Sequence, residues 1–310
     1  MSESNPSEIE KSLGLTDAIL LVSGSMIGSG IFIVSAGMAR DLGSSGWLLL
    51  AWLVAGVLTV MAALSYGELS SMMPRAGGQY VYIQRAFGRM PAFLYGWTVF
   101  MVIQTGVIAA VAVAFAKFTA VFFPVFSVDH VLLDAGFLQV NAAQILAIGS
   151  ILFLSWLNAR GVQEGKWVQI SFTSAKILAL LGLIAFGLWK GIGSEAWEMN
   201  FSSMWQATSL KIQNGIEMTI PLQGIALISA LGMAMVGSLF SSDAWNNVTF
   251  IAGEIRNPGR NLPLSLFLGT LVVTSLYMLA NVAYLALLPM HDIQTAAQDR
   301  VGTAAAGVIF

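Results

Sequence analysis

Seven long apolar stretches dominate this chain of 310 residues. A helix needs about 20 apolar residues to cross the hydrocarbon core of a bilayer, and each stretch is close to that length. The stretches cover residues 17–40, 46–66, 91–116, 140–158, 167–189, 222–251 and 263–289. Hydrophobic residues make up 57% of the chain and charged residues only 10%, unlike a water-soluble domain. The sequence therefore predicts an all-α polytopic membrane protein.

The basic residues between the stretches predict an orientation. Eight Lys and Arg residues lie on the side of the N-terminus, and five lie on the other side. Basic residues accumulate on the cytoplasmic side of membrane proteins, so we expect a cytoplasmic N-terminus. We expect the protein in a plasma membrane, specifically a bacterial inner membrane.

The stretches also divide the chain into four parts. These are a cytoplasmic tail (1–16), a unit of five spans (17–189), an extracellular connection (190–221) and a last part (222–310) that holds spans six and seven. The chain ends in the apolar run VGTAAAGVIF without a polar ending. We therefore expect a sequence truncated after span seven.

The composition leaves little chemistry for an enzyme. There is no cysteine, and the two histidines, His130 and His291, fall in polar connections. Covalent and metal-assisted catalysis need such nucleophiles and ligands inside a site. The net charge of −2 offers no basic surface for nucleic acid. We expect no enzyme activity, no metal or cofactor and no nucleic acid partner; the lipid bilayer is the expected surrounding.

The first span contains the segment GSMIGSGIF (24–32), which interrupts an apolar helix with glycine and serine. Inside a bilayer, a helix break is tolerated only where protein or a water-filled cavity satisfies the backbone, so the segment indicates a binding site. The alternative is close helix packing, because small residues four positions apart also allow one helix to approach another.

The sixth span contains a second polar segment, GSLFSSDAWNN (237–247), which favours the binding-site interpretation. Interrupted helices at corresponding positions of two halves are typical of transporters built from inverted repeats. A broken helix offers N–H groups to a carboxylate at one end and carbonyl groups to an ammonium at the other. The two breaks therefore predict a site for the zwitterionic head of an amino acid.

These motifs resemble the amino acid-polyamine-organocation superfamily, and within it the L-amino acid transporter group and its bacterial relatives. The resemblance covers nearly the whole chain. It rests on the segment in span one, YGELSSMMPRAGGQYVYIQRAFG after span two, NARGVQEGKWVQISFTSAKI from span four into span five, and EIRNPGRNLPLS before span seven. It implies the LeuT-type fold of two inverted repeats of five helices (5+5), with twelve spans in complete members. This chain would hold the first repeat and about half of the second.

The resemblance also implies a set of substrate-binding residues. The carboxylate would be bound by backbone N–H groups and the Ser29 hydroxyl, and the ammonium by carbonyl groups of the second break. The residues concerned are Met26, Gly28, Ser29, Gly30, Phe240, Ser241 and Asp243, with Asn246 beside the pocket. Phe240 resembles an aromatic gate, although simple core packing is the alternative.

Two positions depart from the family pattern, and one charged residue has several interpretations. Ser242 stands where Tyr is frequent, and Ala244 where Gly is frequent. The carboxylate of Asp243 is open to three roles: substrate ligand, partner of a distant cation, or cap on the following half-helix, of which capping is the preferred one.

Lys176 lies in the middle of span five, where a charged side chain costs about 2.5–3.5 kcal/mol on insertion scales. We therefore expect it to face the interior of the helix bundle. The resemblance implies that its ammonium replaces the second sodium ion of sodium-coupled relatives, against carbonyl groups of span one. Pairing with Asp243 for stability alone is the alternative.

The expected function is secondary transport of L-amino acids by alternating access, either as sodium-independent exchange or as proton-coupled uptake. A channel-like pore and a transport-incompetent fragment with a structural role are the alternatives. Heteromeric relatives use a cysteine in the loop after span three to bind an accessory subunit, and residues 118–140 contain none. We therefore expect no disulfide-linked heavy subunit.

Overall fold

The computed structural model describes residues 13–73, 77–134, 136, 139–160, 162–213 and 216–310. Thirteen α-helices form most of this part of the chain. Their bounds are α1 Leu15–Met26, α2 Gly30–Leu42, α3 Ser45–Met72, α4 Gln79–Phe87, α5 Arg89–Thr98, α6 Thr105–Phe122, α7 Ala142–Arg160, α8 Val162–Gly191, α9 Glu195–Ser202, α10 Gly224–Ser241, α11 Pro258–Leu287, α12 Met290–Gln294 and α13 Val301–Ile309.

Shorter segments complete the fold. A π-helical segment, Val99–Gln104, joins α5 to α6 without a break in the span. Three 3₁₀ segments cover Pro124–Phe126, Trp245–Glu254 and Ala297–Asp299. Two antiparallel hairpins lie in connections between spans: β1 Val131–Asp134 with β2 Gln139–Asn141, and β3 Thr208–Gln213 with β4 Ile216–Pro221.

The span prediction agrees with the helices. In the described residues, six helices are long and apolar enough to cross a membrane, and the bent pair α1 and α2 makes a seventh span. The chain is thus a polytopic, mostly helical membrane protein. Several predicted limits shift: span two extends to residue 72, span three runs over 89–122, span six extends to residue 254, and span seven begins at Pro258. Pro258 is the first residue of α11. Proline lacks a backbone N–H, and at the first position of a helix that group would have no partner within the helix.

The main core lies where α1, α2, α3, α10 and α11 pack together. Its largest fully buried side chains include Trp52, Tyr277 and Tyr284. A second, small cluster lies between α6 and α7 and consists of Ala112, Ala116, Ala143 and Ala147. The helices therefore form one large packed body and an α6–α7 pair with its own small cluster, while α8 packs against α11.

Short elements cover the two ends of this body. At one end, called here the α9 end, Asn200 donates to the carbonyl oxygens of Leu285 (2.7 Å) and Leu288 (2.8 Å). At the other, the α4 end, Leu13 pairs with the segment after Trp245–Glu254: its N–H donates to the carbonyl of Glu254 (3.1 Å), and its carbonyl accepts from Arg256 (2.9 Å). The rest of the predicted tail, residues 1–12, lies outside the described residues.

Candidate functional site

The first predicted helix break is present in the structure. Helix α1 ends at Met26, α2 begins at Gly30, and the two axes differ by 46°. In the described part of the chain, the N–H groups of Ser29 and Gly30 have no hydrogen-bond partner. Free N–H groups at a helix start carry positive partial charge and favour an anion.

The second predicted break is also present. Helix α10 ends at Ser241, and the next segment is 3₁₀ and starts at Trp245. Ala244 between them has φ 70°, in the left-handed region that an L-residue with a Cβ enters at a cost of about 1–2 kcal/mol. The conformation explains why glycine would be the easier residue here, and such strain is typical of functional sites.

The two breaks lie against each other. A Cβ atom built on Gly30 would fall 3.0 Å from Ser241 Cβ and 3.1 Å from its Cα, and closer still to its hydroxyl. Only glycine therefore permits this approach between α2 and α10. The Ser241 hydroxyl is buried and has no partner among the described residues. The site thus combines free N–H groups from one break with an unpaired hydroxyl from the other.

Tyr277 connects the two breaks, and no sequence motif indicated this role. Its hydroxyl lies 2.9 Å from the carbonyl oxygen of Met26 and 3.1 Å from that of Ser241. The side chain is 1% exposed, and its ring meets the edge of Trp52 at a centroid distance of 5.5 Å. A buried hydroxyl within a membrane span needs a hydrogen-bond partner. A tyrosine inside span seven could therefore have indicated such a contact.

Lys176 reaches the first break from span five. Its ammonium Nζ donates to the carbonyl oxygen of Gly24 at 2.6 Å, in the last turn of α1. A Cβ on Gly24 would lie 3.0 Å from Thr173 Cγ2, so the glycine also lets α1 approach α8. Among the described residues Lys176 forms no ion pair with Asp243, so the alternative of a Lys176–Asp243 pair is wrong for this conformation.

The capping role preferred for Asp243 is also wrong. The 3₁₀ segment after the break has no side-chain cap at its start, because Ala244 occupies the capping position. The Asp243 carboxylate is exposed and accepts no hydrogen bond within the part of the chain that the structure describes. Asp243 therefore remains available to a ligand or a distant cation.

Phe240 and Asn246 border the second break. Phe240 is 53% exposed, so it is not packed in a core formed by the described residues. The carbonyl of Asn246 accepts a hydrogen bond from the Thr249 hydroxyl at 2.7 Å. The structure thus brings Gly30, next to Ser29, into contact with Ser241, and it leaves Phe240 and Asp243 exposed on an open face.

An aromatic cluster borders the second break toward the α4 end. The ring of Tyr66 stands edge-on to Trp245 at 5.0 Å and to Tyr82 at 6.0 Å. Gln79 at the start of α4 donates to the Tyr66 hydroxyl at 3.0 Å. No single sequence motif indicates this cluster, because its members come from three separate elements.

Comparisons with known proteins give the same class of protein. The family model for amino acid permeases matches residues 13–310. The mouse b(0,+)-type amino acid transporter 1 is 31% identical over 91% of this chain and 53% of its own length. The human large neutral amino acids transporter small subunit 2 is 31% identical over 92% of this chain and 49% of its own length. The serine/threonine exchanger SteT of Bacillus subtilis is 28% identical over 96% of this chain and 60% of its own length. The chain spans about half the length of the curated relatives that it matches.

Proposed function

Because this chain belongs to the amino acid permease family, a family of transporters and not of enzymes, we propose that it carries the substrate site of a secondary L-amino acid transporter. The observation that supports this most is the contact between the two helix breaks at Gly30 and Ser241. Both breaks lie within membrane spans, where unpaired backbone is costly unless it lines a site.

The proposed binding mode uses opposite ends of the two broken helices. The N–H groups of Ser29 and Gly30, with the Ser29 hydroxyl, bind the substrate carboxylate at the start of α2. The carbonyl groups at the end of α10 bind the ammonium group, since the last turn of a helix carries negative partial charge. Phe240, on the open face, closes over the bound amino acid.

The proposed transport cycle is alternating access in a LeuT-type arrangement. The first inverted repeat comprises the spans from α1 to α8, and the second begins with α10. The large packed body of α1, α2, α3, α10 and α11 moves relative to the α6–α7 pair, which has its own small core. The two contacts made by Tyr277 keep both breaks within the moving body.

The proposed coupling is independent of sodium. The Lys176 ammonium holds a carbonyl group of the first break and supplies the positive charge that a sodium ion would supply. Exchange of amino acids and proton-coupled uptake both agree with this arrangement. We place the protein in a bacterial inner membrane with a cytoplasmic N-terminus, without a disulfide-linked partner, because the connection after span three (118–140) contains no cysteine.

Counterflow in proteoliposomes tests this proposal. Vesicles preloaded with unlabelled amino acid should take up the same labelled amino acid transiently above equilibrium, and uptake should saturate. A panel of neutral, basic and acidic L-amino acids identifies the substrate. Flux that neither saturates nor shows counterflow would show that the protein is a pore. If the membrane-inserted protein binds no amino acid, the proposed binding site is wrong.

A further inference from the structure

A cavity of about 210 Å³ lies between α2 and α10, beyond the two breaks toward the α9 end. Val34, Met38 and Met233 form part of its apolar wall. Arg40, Asp41 and Asp299 line its polar part. The cavity is smaller than the ~300–1,000 Å³ pockets that hold drug-sized ligands. Its size and mixed lining fit a small molecule with charged groups at one end.

Arg40 keeps donors free for an anion in this cavity. Its Nη1 atom donates to Asp299 Oδ1 and to the carbonyl oxygen of Gln294, both at 2.8 Å. A guanidinium group has five N–H donors, so these two contacts leave most of them unused. A Cβ built on Gly37, which lines the cavity, would lie 3.7 Å from Arg40 Nη2. The Nη2 atom is therefore near the cavity wall and within reach of a carboxylate.

Asp41, the next residue, supplies the opposite charge. It is partly buried and lines the same cavity. No hydrogen bond or ion pair involves its carboxylate within the described ranges. The positive charge of neighbouring Arg40 offsets only part of the hydration that this partly buried carboxylate loses. A cationic group bound beside it would restore more of the lost interaction. The Asp41 carboxylate is thus suited to an ammonium group.

A strained turn holds the other wall in place. Gln298 and Asp299 have φ values of 53° and 64°, both in the left-handed region that residues other than glycine seldom adopt. Such conformations persist only where the surroundings impose them, and they cluster at ligand clamps. The Gln298 Oε1 atom is buried without a partner among the described residues. The turn fixes Asp299 against Arg40 and so orients the guanidinium group.

We propose that this cavity is a second amino-acid-binding site, in which Arg40 binds the carboxylate, Asp41 binds the ammonium group, and Val34, Met38 and Met233 contact the side chain. The role of this site rests on the proposed function, because α2 and α10 both lead to the central breaks. Asp41 and Gly30 are eleven residues apart on α2, or about 16 Å at 1.5 Å per residue. An amino acid bound in the cavity is therefore distinct from one bound at the breaks.

Equilibrium binding of radiolabelled L-serine and L-leucine to the protein in nanodiscs tests the proposal. We expect two classes of site in the unmodified protein. Asp41→Asn should weaken one class by about 10-fold or more, the usual effect of losing a hydrogen bond to a charged group, and leave the other unchanged. Glu198→Gln is the matched control: it removes an exposed carboxylate from α9, at the same end of the molecule, and should alter neither class.

Filling the cavity gives an independent variant. Gly37→Leu places a side chain in the cavity and should abolish the same class, whereas Gly232→Leu on α10, where a Cβ meets nothing within 4 Å, should not. In uptake assays both cavity variants should raise KM and leave the rate at saturation unchanged.

The outcomes separate the two proposals. If unmodified protein binds no amino acid, the proposed function and the second site are both wrong. If a single class is found that Gly30→Ala removes and Asp41→Asn does not affect, the second site alone is wrong. Two classes that both survive Asp41→Asn and Gly37→Leu would also overturn it.

Discussion

The ammonium of Lys176 and the carbonyl of Gly24 form a hydrogen bond of 2.6 Å between residues 152 positions apart in the chain. The bond fixes the end of α1 to α8 just before the first break. Gly24 is close enough to Thr173 that the two helices touch at this point. A charge that is costly inside a membrane therefore has a backbone partner in the last turn before the first break.

The first prediction concerns this contact. Lys176→Met keeps the length of the side chain and removes the charge, so the protein should insert and fold while uptake falls by about 10-fold or more, because the ligated arrangement becomes less populated. The measurement is uptake in sodium, choline and potassium buffers. Lys211→Met, on the exposed face of β3, is the control and should have no effect. A strict sodium requirement in the unmodified protein would refute the proposed role of Lys176.

The second prediction concerns Tyr277. Tyr277→Phe removes the hydroxyl that joins Met26 to Ser241 and leaves two buried carbonyl groups with one partner fewer. The loss of a buried partner costs about 1–3 kcal/mol, so substrate affinity should fall by about 5- to 150-fold while the protein remains folded. Tyr284→Phe, seven residues further along α11, is the control, because its hydroxyl has only a long 3.4 Å contact with the Ile31 carbonyl. Equal effects of the two substitutions would contradict a specific role for Tyr277.

The third prediction contrasts two glycines of the first break. Gly30→Ala should prevent the approach of α2 to Ser241, lower the thermal stability and abolish binding, because its Cβ has no space. Gly28→Ala should fold normally, since a Cβ there meets only the Met26 carbonyl at 3.9 Å. Size-exclusion profiles, melting temperatures and substrate binding distinguish the two. If Gly30→Ala binds substrate like the unmodified protein, the site lies elsewhere.

The fourth prediction concerns stability at the α9 end. Asn200→Ala removes two hydrogen bonds to the carbonyl groups of Leu285 and Leu288 and one from the N–H of Met290 (3.0 Å). Because these groups are buried, the free energy of unfolding should fall by about 2–4 kcal/mol. Ser202→Ala, in the same helix but exposed, should change the melting temperature little. A melting temperature of Asn200→Ala equal to that of Ser202→Ala would show that this contact does not stabilise the protein.

The span pattern and the two breaks were predictable from sequence for a physical reason. A bilayer requires long apolar helices, so polar residues in the middle of spans one and six are conspicuous against them. Lys176 was predictable on the same ground, because a charge at that depth needs an interior partner. The approach of Gly30 to Ser241 followed only from the expectation that breaks at corresponding positions of two repeats line one site.

Other features depend on packing that a linear pattern does not contain. Tyr277 in an apolar run looks like any core aromatic residue until its hydroxyl is placed between two carbonyl groups. The aromatic cluster of Tyr66, Tyr82 and Trp245 combines residues from α3, α4 and the segment after α10. The role of Asp243 was misjudged because capping was inferred from its position before a helix, whereas the left-handed Ala244 displaces it from the capping position.

The pairing of Leu13 with the segment around Ile255 has a practical consequence for following the protein in motion. Leu13 is bound by two backbone hydrogen bonds to residues at the far end of span six, and it therefore moves with them. A spin label or dye at position 13 thus records the displacement of the half-helix after the second break, without any modification of the site itself. When the protein opens, the distribution of distances between such a label and a second label on α7 should change.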